Sequence, residues 1–179
     1  MLTITIPAKE MFDERTQTFF ESKEQTLILE HSLVSVSKWE SKWCKSFISV
    51  KDKTYEETID YIKCMTITKN VESEVYARLT NSNLNEIHEY IQAPMTATTF
   101  NEDNKKNSRE IITSELIYYW MISLNIPMEC QRWHLNRLLT LIRVCNIKNT
   151  PPKKMNKKEA ANRYAALNAA RRKQHNTKG

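Results

Sequence analysis

The chain has 179 residues, of which 40% are hydrophobic, 27% are charged and only one, Gly179, is glycine. This composition excludes a wholly disordered chain, and the shortage of glycine excludes glycine-rich phosphate loops, dinucleotide-binding turns and nucleophile elbows. The formal net charge is +6, but residues 151–179 carry nine basic residues and one acidic residue, so that segment has a charge of +8 and residues 1–150 have −2.

The first thirty residues predict a short β-ribbon. Residues 2–6 alternate apolar and polar side chains, and residues 26–30 are rich in β-forming residues and leucine. Residues 12–20 lie between these two strand candidates. Because a pair of strands is stable only when it packs on other elements, we expect the ribbon to lie against the helices that follow.

From Ser32 onward the apolar pattern becomes helical. Ser32 is a candidate N-cap for a helix whose apolar residues recur at spacings of three and four. These apolar residues are Leu33, Val36, Trp39, Trp43 and Phe47. Thr54 and Glu57 form a capping-box pattern that predicts a second helix, and shorter helices are expected over residues 72–79 and 81–91.

Residues 109–144 are the most apolar part of the chain. Pro127 interrupts this segment, which therefore predicts two helices joined by a short turn, an αα-hairpin. We expect this hairpin to be the centre of the core. The core residues predicted from the apolar pattern are Trp39, Trp43, Trp120, Trp133, Leu138 and Ile142.

The C-terminal segment differs from the rest of the chain. Residues 150–152 (Thr-Pro-Pro) predict a stiff boundary, and residues 157–172 combine high helix propensity with few apolar side chains. The chain is therefore predicted to be mainly helical: a small helical domain with N-terminal strands over residues 1–150, and a basic arm, helix-prone or disordered, over residues 151–179. Such an arm is typical of attraction to an acidic partner, and a solubilising appendage fits the pattern equally well.

The cysteines and histidines indicate no metal or cofactor. Four cysteines in apolar helical contexts, without short pairings, predict reduced and buried thiols in a cytosolic protein, and no segment is long and apolar enough for a signal peptide or a membrane span. The four histidines have no metal-ligand spacing. The free cysteines expected on this basis are Cys44, Cys64, Cys130 and Cys145.

The sharpest enzyme alternative is a Cys–His pair. Cys130 and His134 are four residues apart and are expected on one helical face, but no oxyanion hole accompanies them. His134, beside Trp133, is more typical of a hydrogen-bonded interior or boundary histidine. We therefore expect no catalytic residues and no enzyme.

Basic residues are the candidates for partner binding. Arg132, Arg137 and Arg143 interleave with Trp133 and Leu138 in the last core helix. The favoured interpretation is that these arginines reach acidic residues on neighbouring helices; the alternative is a partner-binding ridge. In the arm the candidates are Lys153, Lys154, Lys157, Lys158, Arg171, Arg172 and Lys173. The arm lacks interleaved aromatic residues, so sequence-specific nucleic-acid binding is not expected.

Four stretches of the chain resemble small proteins from the structural gene modules of long-tailed (siphovirus-type) bacteriophages. They are residues 33–48 (LVSVSKWESKWCKSFI), 56–65 (EETIDYIKCM), 117–146 (IYYWMISLNIPMECQRWHLNRLLTLIRVCN) and 167–179 (LNAARRKQHNTKG). Within that group the chain is similar to the tail assembly chaperones, which are encoded beside the tape-measure gene.

The resemblance implies a non-enzymatic helper of virion morphogenesis in the host cell cytoplasm. Its implied partner is the phage tape-measure protein, with the tail-tube protein as a second client and a homo-oligomer as a further expectation. No cofactor and no membrane are implied. The alternatives left open are a structural tail or neck component of the virion and a small basic nucleic-acid-binding regulator.

Overall fold

The computed structural model describes residues 1–13, 17–100, 110–151 and 157–176. As predicted, the fold is mainly helical, with strands only near the N-terminus of the described part. The helices are α1 (Leu33–Trp43), α2 (Tyr55–Met65), α3 (Ser73–Ala77), α4 (Asn81–Gln92), α5 (Ser114–Ser123), a 3-10 helix (Met128–Arg132), α6 (Leu135–Asn149) and α7 (Lys157–His175).

The N-terminal ribbon has two strand pairs. Strand β1 (Leu2–Ile6) pairs antiparallel with β4 (Gln25–Leu29), which confirms the predicted ribbon. Between them, β2 (Lys9–Asp13) and β3 (Thr18–Ser22) form a second antiparallel pair. This second pair was not predicted, although the aromatic residues at positions 12, 19 and 20 favour strands.

One face of the β1–β4 pair is buried. Its inward side chains alternate with exposed ones along both strands, as expected for a sheet that packs on one side only. The buried residues are Ile4, Ile6, Leu27 and Leu29. Beyond β4, the Glu30 N–H donates to the Met65 carbonyl at 2.8 Å, so the end of this strand is attached to the end of α2.

Arg78 bonds to the junction between the two strand pairs. Its Nη1 donates to the carbonyl of Pro7 at 3.0 Å, to the Ser22 hydroxyl at 2.7 Å and to the carbonyl of Lys23 at 3.3 Å. Because Arg78 follows α3, this guanidinium ties both chains of the ribbon to the helical part of the fold.

Helix α1 packs against α2, α5 and the 3-10 helix. It begins with the predicted cap: the Ser32 hydroxyl accepts from the Ser35 N–H, and Ser35 returns the bond as in a capping box. The helix ends at Trp43 because Cys44 adopts a left-handed conformation with φ of 51°. Phe47, predicted to continue the helix, lies beyond it but is still buried.

The second and fourth helices begin at threonine caps. Thr54 and Glu57 form the predicted capping box of α2, and Thr80 forms a comparable box with Asn83 at the start of α4. The predicted third helix is present but shorter, since α3 covers only Ser73–Ala77.

The second half of the chain is less regular than predicted. After Pro127, residues 128–132 form a 3-10 helix, and α6 begins only at Leu135. Helix α5 packs against α1. A packed αα-hairpin of α5 and α6 stays a prediction.

The predicted core is partly right. Trp39, Leu138 and Ile142 are buried, whereas Trp43, Trp120 and Trp133 are only partly buried at the border of the core. Trp43, Trp120 and Trp133 pack against the core instead of forming its centre, because helical spacing gives the direction of a side chain and not its depth. In addition, the indole N–H of Trp43 bonds to the Asp60 carboxylate, which also holds the exposed Lys42, so this ring lies at the border of the core.

The contacts divide the chain into two compact units, Met1–Asn146 and Ile147–Gly179. In the second unit, the side chains described over residues 161–176 are exposed. Within the described ranges, none of the helices has the length and apolar character needed to span a membrane.

Candidate functional site

The three arginines that are candidates for partner binding are all exposed, but they do not share one element. Arg132 belongs to the 3-10 helix, which corrects its placement in the last core helix, and Arg137 and Arg143 belong to α6. The Arg137 guanidinium lies 4.2 Å from the centre of the Trp133 ring, and that of Arg143 lies 4.0 Å from Phe100. Both contacts are cation–π pairs, so these two arginines are held on aromatic rings.

Of the basic residues in the arm, only some have side chains that the structure describes. Arg171, Arg172 and Lys173 lie in the last turns of α7 and are exposed. Lys153 and Lys154 lie outside the described residues. Lys157 and Lys158 begin α7, but their side chains are outside the description as well.

Cys130 and His134 do not have the arrangement expected for the Cys–His alternative. Cys130 lies in the 3-10 helix, whereas His134 lies in an extended bridge with Ser32, so the two residues do not share a helical face. Burial raises the pKa of the Cys130 thiol, which disfavours the nucleophilic thiolate. His134 is a hydrogen-bonded boundary histidine, as predicted.

The partners of His134 fix its tautomer. Its Nε2 lies 2.9 Å from the Tyr90 carbonyl, which only accepts, and its Nδ1 lies 3.3 Å from the Asn136 N–H, which only donates. Both bonds are satisfied by a neutral imidazole with the proton on Nε2. Burial lowers the pKa of His134, in agreement with this neutral state.

His31, Tyr61 and Ser35 form a buried polar cluster next to His134. The Tyr61 hydroxyl lies 2.5 Å from Nδ1 of His31 and 3.4 Å from the Ser35 hydroxyl. The rings of His31 and His134 meet edge to face at 4.9 Å. No short sequence pattern predicts this cluster, because residues 31, 61 and 134 meet only through the packing of distant segments.

Burial sets the protonation of this cluster. Burial, with a smaller contribution from His134, lowers the pKa of His31 to about 3, and burial raises the pKa of Tyr61 well above its usual range. The neutral forms of both side chains are thus favoured at neutral pH. His31 is only 2% exposed and Tyr61 is equally enclosed, so the cluster serves to satisfy polar groups inside the core.

A surface groove lies where α1, α2 and α3 meet. Its cavity has a volume of about 430 Å³, and its lining includes the aromatic residues Trp43, Tyr55 and Tyr76 together with Lys42 and Lys63. This combination of apolar and cationic side chains is typical of a binding surface. We call it the lysine–aromatic groove.

Buried carboxylates hold two lysines beside the lysine–aromatic groove. Asp60 bonds to the Lys42 ammonium and, at 2.9 Å, to the Trp43 indole N–H. The buried Glu57 carboxylate accepts from Lys45 at 2.6 Å and from the Thr54 N–H at 2.8 Å. Each carboxylate lies inside the fold and directs an ammonium group toward solvent.

These bonds also determine the ionisation of the two acids. The hydrogen bond from Lys45, supported by Thr54, lowers the pKa of Glu57. Burial alone would raise the pKa of Asp60, but the hydrogen bonds from Lys42 and Trp43 outweigh it and hold this pKa below its usual value. Both acids are therefore ionised at neutral pH.

The described residues contain no group of three or more His, Cys, Asp or Glu side chains arranged to hold a metal ion. The four cysteines are free. The prediction of buried thiols is right for Cys130, but Cys44 is exposed because it follows the last turn of α1. Cys64 and Cys145 are partly buried.

Comparison of the chain with protein-family models, with curated protein sequences and with solved structures gave no match.

Proposed function

We propose that this protein is a tail assembly chaperone of a long-tailed bacteriophage, which binds the tape-measure protein in the host cytoplasm and catalyses no reaction. The observation that carries the proposal is an exposed apolar surface on α5, formed by Tyr119 and Ile122, which are 64% and 66% exposed. A spacing of three residues places both on one helix face. Ile111, just before the helix, is exposed to 66% as well.

The α5 surface fits the client that the resemblance implies. Large exposed apolar side chains on one face are typical of contacts with another protein. A tape-measure chain is long, helical and apolar, so on its own it would associate with other copies. An apolar helix face can cover part of such a chain until the tail assembles. Both residues of the α5 surface belong to stretch 117–146, which resembles the phage proteins.

Co-expression with the phage tape-measure protein tests the proposal. The wild-type chain should keep the tape-measure protein soluble and co-purify with it, and the double variant Tyr119→Ser, Ile122→Ser should lose most of this capture. Tyr164→Ser is the matched control, because Tyr164 is 65% exposed but lies in the second unit. If deletion of the gene leaves full-length tails at normal yield, the proposal is refuted. The same assay with the tail-tube protein tests whether it is a second client. Light scattering of the purified chain measures its molar mass and so tests for a homo-oligomer.

Two other functions compete with the chaperone. A structural tail or neck component would remain in mature particles at fixed stoichiometry, which mass spectrometry of purified virions detects. A nucleic-acid-binding regulator is favoured by the exposed basic residues Arg171, Arg172 and Lys173 of α7. It would bind DNA or RNA with a steep salt dependence, and replacing these three residues with glutamine would abolish the binding.

A further inference from the structure

The lysine–aromatic groove is separate from the α5 surface and has its own chemistry. Trp43, Ile59 and Tyr76 give it an apolar floor, and Tyr55, which is 66% exposed, stands at its side. A volume of about 430 Å³ is large enough to take more than one side chain of a partner.

The charges that reach solvent around the groove are mostly positive. The Lys42 and Lys45 side chains are 60% and 51% exposed, whereas their carboxylate partners Asp60 and Glu57 are only 12% and 2% exposed. Lys63 lines the groove and is exposed too. An ammonium group has three N–H donors, so a lysine bonded to one carboxylate retains donors for another.

Two further residues affect the charge of this region. Lys38, exposed, lies one helical turn before Lys42 on the same side of α1 and extends the row of cations. Glu56 is the exposed acidic residue of the lining, and its negative charge offsets part of the positive charge of the lysines. Among the lining residues, Lys42 and Lys63 outnumber the one exposed acid, Glu56, so the rim of the groove is complementary to carboxylates.

Lysine and aromatic side chains together also occur in proteins that bind single-stranded nucleic acid, but two of the three rings here, those of Trp43 and Tyr76, already contact ammonium groups. The ammonium groups of Lys42 and Lys45 lie 5.8 Å and 5.7 Å from the centre of the Trp43 ring. The ammonium group of Lys63 lies 5.5 Å from the centre of the Tyr76 ring. Since base stacking needs a free ring face, these contacts favour a peptide partner over a nucleic acid.

We propose that the lysine–aromatic groove binds an acidic amphipathic helix of a protein partner, with an apolar side chain seated between Trp43, Tyr55 and Tyr76. Carboxylates of the partner pair with Lys42 and Lys63 at the edges of the groove. This mode combines a small apolar anchor with a charged rim, as in other complexes of a helix with a groove. The proposal requires a protein partner but does not depend on that partner being a tape-measure protein.

A designed peptide tests the proposal on the full-length chain. The probe is a fluorescein-labelled helix of about 16 residues, with leucine and phenylalanine on one face and glutamate elsewhere. Fluorescence anisotropy should show saturable binding that weakens as salt increases. A peptide of the same apolar pattern with lysine in place of glutamate should bind at least about tenfold more weakly.

Paired variants locate the binding site. Lys63→Glu should weaken binding by about five- to tenfold, whereas Lys69→Glu, a charge reversal at another exposed lysine that does not line the groove, should leave binding within about twofold. Tyr55→Ser should weaken binding by about tenfold, and Tyr119→Ser on the α5 surface should not change it. Circular dichroism and melting curves establish that each variant is folded.

Three outcomes would overturn the proposal: no saturable binding of the acidic peptide, equal effects of Lys63→Glu and Lys69→Glu, or displacement of the peptide by an oligothymidine that binds more tightly. The last outcome would assign the groove to nucleic acid. Tyr119→Ser separates this proposal from the chaperone function, because it should impair capture of the tape-measure protein and leave peptide binding intact.

Discussion

Glu40 is a buried carboxylate that joins two parts of the chain. Its Oε1 accepts from the Phe47 N–H at 2.7 Å, and its Oε2 accepts from the Ser114 N–H at 2.7 Å. The Glu40 side chain, which belongs to α1, therefore fixes both the loop that follows α1 and the first turn of α5. Both donors are backbone groups in buried positions, so each requires an acceptor.

Glu40→Gln should destabilise the fold by about 1–3 kcal/mol, because the new NH₂ group must face one of the two N–H donors. Urea unfolding followed by tryptophan fluorescence measures the change. Glu86→Gln, at an exposed position on α4, is the matched control and should change stability by less than about 0.5 kcal/mol. An equal effect of both substitutions would show that Glu40 does not hold the two segments.

His31 makes stability depend on pH. Its pKa is lowered by burial from 6.5 to about 3, so between these values the unfolded chain binds a proton that the folded chain does not. Stability is therefore complete above pH 6.5 and is lost as the pH falls. The loss should reach about 2–3 kcal/mol at pH 4.5, at a slope of about 1.4 kcal/mol per pH unit for one proton.

Urea titrations between pH 7 and pH 4.5 measure this loss. In that range the lowered pKa values of Glu57 and Asp60 contribute little, since both acids stabilise the fold above their unfolded values of 4.5 and 3.8. His31→Gln should reduce the slope, and the exposed His175→Gln should not. A wild-type slope in His31→Gln would assign the pH dependence to other groups, with His134 the first to examine.

At the scale of elements, helix starts depend on short-range hydrogen bonds. The Thr54 hydroxyl accepts from the Glu57 N–H at 3.2 Å, and Glu57 returns a bond to the Thr54 N–H. Thr54→Ala should therefore destabilise the protein by about 1 kcal/mol, whereas Thr54→Ser should restore most of the loss because it keeps the acceptor. Thermal melts of the three proteins measure the difference, and equal melting temperatures would exclude a role for the cap.

Local signals explain which elements were predictable from sequence. The caps at Ser32 and Thr54 act over three residues, so the starts of α1 and α2 were predicted correctly. The end of α1 at Cys44 was missed because only the left-handed backbone marks it, and a cysteine seldom indicates that conformation. The break between the 3-10 helix and α6 was missed because the apolar pattern continues through it.

The lysine–aromatic groove was not predicted from the sequence, since none of its lining residues was among the candidates for partner binding. Lys42 and Trp43 are adjacent in sequence, but Asp60 and Tyr76 join them through the packing of α1, α2 and α3. Trp43 follows Trp39 by four residues, so periodicity alone assigned both to the core. The hydrogen bond to Asp60, which distinguishes Trp43, connects residues 17 positions apart and leaves no short sequence pattern.

At the scale of the whole molecule, residues 151–179 should be dispensable for folding. Truncation after Thr150 removes a charge of +8 and a helix whose described side chains are exposed. Calorimetry should show a melting temperature within about 2 °C of the full chain. Aggregation or unfolding of the truncated protein would mean that residues 151–179 stabilise the first unit.

Arg78 gives the N-terminal ribbon a mechanical property. Its guanidinium bonds to Pro7, Ser22 and Lys23, which lie on both sides of the ribbon at the junction between the two strand pairs. A force applied to the outer pair, β2 and β3, is therefore transmitted by two routes. The backbone carries it to the inner pair, β1 and β4, and the Arg78 hydrogen bonds carry it to the helical part of the fold. The inner pair also has its apolar face buried, so under tension the outer pair should separate first and the inner pair should stay attached to the body.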